Sequence, residues 1–131
     1  MRSIYAFMDR WKPYALGLLR IVAALLFLEH GLSKLAGFPV PGPPLHGLLI
    51  VAAFLESVGA FLVLIGAFTL IVAFVLSGEM AVAYFMAHAP RSFYPIANGG
   101  EAAIFFCFIF LYLAFAGGGR LSIDRAWLNQ D

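Results

Sequence analysis

The sequence predicts an all-α integral membrane protein, a four-helix bundle with both termini on the cytoplasmic side. Three observations carry that expectation. Of the 131 residues, 63% are hydrophobic and 11% are charged, against roughly 45–50% and about 25% in soluble domains, and mean hydropathy is +0.96. Apolar runs near the ~20 residues that cross a bilayer core recur four times. Basic residues gather before the first run and after the last, at Arg2, Arg10, Lys12, Arg120 and Arg125. The length suits one domain over residues 1–131.

The first span is expected at about residues 14–36, with Pro13 at a first-turn position where its missing N–H costs nothing. Basic residues followed by an apolar run imitate a secretory leader. The run is too long for one, contains Arg20 and lacks a small-x-small cleavage site before Glu29, so it is expected to be retained. FPVPGPP at 38–44 cannot continue a helix, since proline lacks the donor and fixes its own φ. The second span follows at about 45–65, and Gly66 marks a tight connection to a third at 67–87. APRSFYP at 89–95 separates it from a fourth at 97–116, which GGG at 117–119 ends. Backbone polar groups in lipid must bond within their own segment, so such runs are helices. A soluble all-α protein would need polar helix faces, and these runs are apolar nearly all round.

An even number of spans puts both ends on one side, and the basic residues make that side cytoplasmic. Trp11, Tyr14, Phe93, Tyr94 and Trp127 fall near the expected interfaces, where amphipathic rings are favoured. With a net charge of +1 and no basic cluster interleaved with stacking aromatics, a nucleic-acid surface is not expected. Cys107 stands alone, so there is neither an intrachain disulfide nor a dithiol redox centre; it reads as a small buried apolar residue. No metal site is expected.

The chain has four glutamates, Glu29, Glu56, Glu79 and Glu101, one on each expected span. A charged side chain at mid-bilayer costs on the order of 2.5–3.5 kcal/mol on insertion scales. These side chains should face the interior, pair with Arg20, Lys34, Arg91, His30 or His88, or carry a proton. At ~100° per residue, Arg20, Phe27, Gly31 and Lys34 share one side of the first helix, with His30 beside Lys34 and Glu29 opposite Arg20. Arg20 is expected to reach toward Glu56, which lies among Ala52, Ala53, Gly59 and Ala60, a small-residue face suited to close helix contact. Arg20, Glu56, Glu79 and Glu29 are therefore assigned to intramembrane structure, Glu29 toward a different neighbouring helix, a second subunit, or lipid as a protonated acid. His30 and Lys34 are read as a pair lining an outer cavity, with Glu101 near the same end. Glu101 also suits the N-terminus of a helix.

The segment LLRIVAALLFLEHGLSKLAGF resembles the opening signature of the DoxX family, an apolar helix ending in His-Gly-x-x-Lys-Leu at His30, Gly31, Lys34 and Leu35. Further stretches agree: Glu56 with Gly59 and Gly66, GEMAVAYFMAHAP at 78–90, NGGEAA at 98–103 and GGGRLSID at 117–124. In the last of these, Gly118 replaces the usual proline and the aromatic before Ser-x-Asp is absent. The resemblance runs over about 14–125. It implies a small four-span protein of the bacterial inner membrane, associated with quinone-linked redox chemistry. On that reading His30, Lys34 and Glu101 are candidate catalytic groups, and Asn98 joins them as a quinone contact. The chain has no flavin motif, dithiol or iron–sulfur pattern, so a soluble or membrane redox partner would supply electrons. Haem held by His30 with His88 or His46 is the weaker cofactor reading, since nothing places two histidines at matching depth. Two other classes compete: permeation of a proton or small solute through the intramembrane carboxylates, and a non-catalytic scaffold or homo-oligomer with Glu29 at an interface.

Overall fold

The structure, a computed structural model, describes residues 1–128 and is helical throughout its regular elements. Helix α1 covers Arg2–Ala36. Helix α2 covers Leu48–Ile65 and α3 covers Thr69–His88. A short turn of helix, α4 (Pro95–Asn98), precedes α5 (Glu101–Ala116), and α6 (Ile123–Leu128) follows. Helices α1, α2 and α3 are long and apolar enough to cross a membrane.

Two boundaries depart from expectation. Helix α1 begins at Arg2 and carries Pro13 in its interior rather than in its first turn. The sequence-based limit fell at 14 because residues 2–12 are mixed in polarity. The fourth helix is shorter than expected, 16 residues rather than a start at 97. Gly99, at φ 72°, breaks the chain after α4, and Gly100 then opens α5. At ~1.5 Å per residue α5 is about 24 Å long.

Four helices share one core. Ala24 and Phe27 come from α1, Ala60 and Val63 from α2, Ala73, Leu76 and Met80 from α3, and Phe110, Leu113 and Ala114 from α5. The Phe27 ring meets that of Phe110 edge-on at 4.8 Å. Small residues let the backbones approach: a Cβ on Gly31 would lie 2.6 Å from Ser57 N and 2.8 Å from Glu56 C. Large apolar side chains, among them Phe54, Phe61, Phe74, Phe108 and Phe115, point outward. An exterior of this kind suits lipid rather than water.

The end of the bundle where α2 and α5 finish is organised by Arg20. Its side chain is wholly buried and, contrary to the expectation from the sequence, does not reach Glu56. Nε donates to Gly118 O at 2.7 Å, Nη1 to Val63 O at 2.8 Å and also to Leu64 O, and Nη2 to Leu121 O at 2.7 Å and Arg120 O at 3.3 Å. The acceptors are the last carbonyls of α2 and the loop after α5, where helix ends leave oxygens unpaired. A guanidinium suits this place because its donors fan out in one plane. Asp124 completes the arrangement by accepting from Phe68 N at 2.7 Å and Thr69 N at 2.8 Å, capping the start of α3.

Candidate functional site

The charged residues of the interior gather around a widened turn. Within α2, residues Leu55–Gly59 form a π turn, a geometry frequent at functional sites. It carries Glu56, whose side chain is 3% exposed. Lys34 of α1 reaches it, with Nζ 2.6 Å from Oε1 and 2.5 Å from Oε2. Gly31, one turn before Lys34, makes the close approach to Ser57 that brings the two helices within reach. Glu79 of α3 feels the charges of both Glu56 and Lys34. Its two carboxyl oxygens are buried without a hydrogen-bond partner. Two carboxyl groups thus confront one ammonium group.

Contrary to the expectation from the sequence, His30 and Lys34 do not line one cavity together but meet different neighbours. The ~40° between them on the helix is enough to send them to different neighbours. Lys34 turns inward to α2, while His30 lies against α5, with its ring 5.8 Å from that of Phe106 in an edge-on contact. His30 and Glu29 belong to a groove of about 400 Å³ between α1 and α5. Its walls are otherwise apolar, with Val22, Leu26, Ala102 and Phe105 among them. Lys34, Asn98 and Glu101 do not line it.

Asn98 and Glu101 take separate places. Asn98 is buried; Nδ2 donates to Tyr84 Oη and to Ser92 O, each at 3.1 Å, and Oδ1 accepts from Gly100 N at 2.8 Å. These bonds fix the turn that starts α5. The Nδ1–H of His88 donates to Asn98 O at 3.1 Å, and the His88 ring stacks on Tyr84. Tyr84 and His88 lie in a second π turn, Tyr84–His88. This role of Tyr84 is not legible in the sequence, since its spacing from Asn98 offers no local signal. Glu101 is exposed at the first turn of α5, where its charge complements the helix N-terminus.

Long apolar helices around a buried ion pair, with an outward face of phenylalanine, define a helical membrane protein. The DoxX family model matches residues 15–89, and the chain belongs to the DoxX family. It is 40% identical over 131 aligned residues to an uncharacterized protein of Haemophilus influenzae, covering 94% of this chain and 98% of that protein. No solved structure matches the chain.

Proposed function

We propose that this DoxX-family protein is the membrane subunit of a quinone-linked oxidoreductase, spanning the bacterial inner membrane four times with both termini in the cytoplasm. The groove between α1 and α5 carries this reading. It is large enough for the head ring of a lipid-soluble quinone, apolar along its walls, and supplied with His30 and Glu29. Such a balance of apolar lining and few polar groups is typical of small-molecule sites. His30 would donate a hydrogen bond to one ring oxygen, and Phe105 and Phe106 would flank the ring. Reduction of a quinone takes two electrons and two protons; a soluble or membrane partner supplies the electrons, and His30 and Glu29 hand over protons at the groove.

The test is purification in mild detergent, followed by an absorption spectrum and mass analysis of extracted ligands. Bound quinone is expected in the native protein and lost in His30→Ala. A protein that carries none after purification from quinone-containing membranes, and none on reconstitution, would sink the proposal.

A second reading rests on a different observation, the buried unpartnered oxygens of Glu79 beside Glu56 and Lys34. Intramembrane carboxylates of this kind occur along proton paths. Proton flux in proteoliposomes that disappears in Glu79→Gln would favour permeation over the redox role.

A further inference from the structure

Helix α1 is longer than a membrane is thick. Its 35 residues span about 52 Å, against a hydrocarbon core of about 30 Å. The bundle lets go of it at Pro13 and Tyr14. Arg120 N donates to Pro13 O at 3.0 Å, and the Arg120 guanidinium sits 5.1 Å over the Tyr14 ring. Residues 1–12 are all exposed. They take no part in the bundle core.

This segment has two faces. At ~100° per residue, Phe7, Met8 and Trp11 lie within about 60° of Ile4. Each of the four is at least 48% exposed. Arg2, Ala6, Asp9 and Arg10 lie about 120° or more away, with Lys12 flanking the stripe. Outside the stripe, Arg2 and Arg10 on the polar side and Lys12 on the flank stand against the single acid Asp9, which pairs with Lys12 at 2.5 Å. Pro13 gives Asp9 O no amide donor, so the helix is weakest where the stripe meets the span.

We propose that residues 2–12 form an interfacial anchor, bending at Pro13 to lay the Ile4–Phe7–Met8–Trp11 stripe on an anionic lipid surface. An apolar stripe backed by basic residues is the pattern of helices that lie in the headgroup plane. The charge sign matches anionic phospholipid, and Arg2 and Arg10 on the far face, with Lys12 reaching from the flank, meet its phosphates. Continuity with the span holds the stripe beside the bilayer at all times. The anchor is separate from the groove at His30 and does not depend on the redox reading.

The full chain in nanodiscs tests it. On a Trp11→Phe, Trp127→Phe background, a single reporter is introduced as Phe7→Trp on the stripe or Ala6→Trp on the opposite face. In discs containing phosphatidylglycerol, brominated lipid is expected to quench the Phe7→Trp reporter and aqueous acrylamide the Ala6→Trp reporter. Each of Arg2→Gln, Arg10→Gln and Lys12→Gln should weaken the lipid-bound state about fivefold at low salt. Equal acrylamide quenching of both reporters would mean a helix standing free in water and would overturn the proposal. A Phe7→Trp reporter shielded from both quenchers would mean a protein occupant, a second copy or a partner, and would overturn it as well. Unchanged circular dichroism and elution volume establish that each variant is folded.

Discussion

Lys34 holds both oxygens of Glu56, 22 residues away in sequence and on a different helix, at 2.6 and 2.5 Å. The Glu56 side chain is almost wholly enclosed and the Lys34 side chain mostly so. A charge pair in such a place is expensive to form and more expensive to break.

Breaking it from either side should therefore be costly. Lys34→Ala is expected to destabilise the folded protein by about 3–5 kcal/mol, because Glu56 stays buried without its cation; Glu56→Ala should cost less, because Glu79 is left to face the ammonium group. The double replacement Lys34→Met, Glu56→Leu should recover most of that loss. Unfolding in mixed micelles followed by circular dichroism measures all three. A double variant as unstable as the worse single one would show that the pair is not the unit that matters.

Arg20 should tolerate no substitute. Arg20→Lys keeps the charge but offers one ammonium to acceptors spread over Val63, Leu64, Gly118, Arg120 and Leu121. Bonds from charged donors are worth about 1.5–3 kcal/mol each, so the loss should exceed about 3 kcal/mol. Faster proteolytic clipping between 117 and 122 in Arg20→Lys is the expected local sign; an unchanged cleavage pattern and melting point would contradict it.

Gly31 sets the distance between α1 and α2. Its substitution by Ala puts a methyl group inside the contact distance of the Glu56–Ser57 backbone. Overpacking of this kind costs about 1–3 kcal/mol, and Gly31→Val should cost more. The ion pair should loosen too, so Lys34 in Gly31→Ala should react faster with an amine reagent than in the native chain.

Filling the groove separates ligand retention from stability. Ala102 lines it and is exposed, so Ala102→Trp occupies space without touching the core. Quinone co-purifying with the protein should fall at least about tenfold, equivalent to ~1.4 kcal/mol, at an unchanged melting temperature. Full retention would place the ligand elsewhere.

Much of the fold was legible in the sequence because its signals are long. Apolar runs fix where helices must lie, and Pro and Gly fix where they cannot. The small-residue face around Glu56 also read correctly: Ala53, Gly59 and Ala60 are buried with it. What escaped was partner choice. Arg20 went to main-chain oxygens, and every residue type carries one, so no side chain in the sequence advertises them. Lys34 and His30 are one turn apart, and only the packing of α2 and α5 decides which faces which. The π turn at Leu55–Gly59 leaves no mark either, since its residues are ordinary helix residues. The N-terminal stripe has helical period but too many charges for a search for apolar runs.

The acceptors of Arg20 lie far along the chain, up to 101 residues away at Leu121. Synthesis is vectorial, so the first helix enters the bilayer long before Gly118 and Leu121 leave the ribosome. During that interval the guanidinium lacks most of its acceptors and depends on stray water or on the translocation machinery for solvation. Closure of the carbonyl ring around it is thus a late event that registers arrival of the whole chain. A nascent protein terminated before Gly118 keeps Arg20 without its acceptors on Gly118, Arg120 and Leu121.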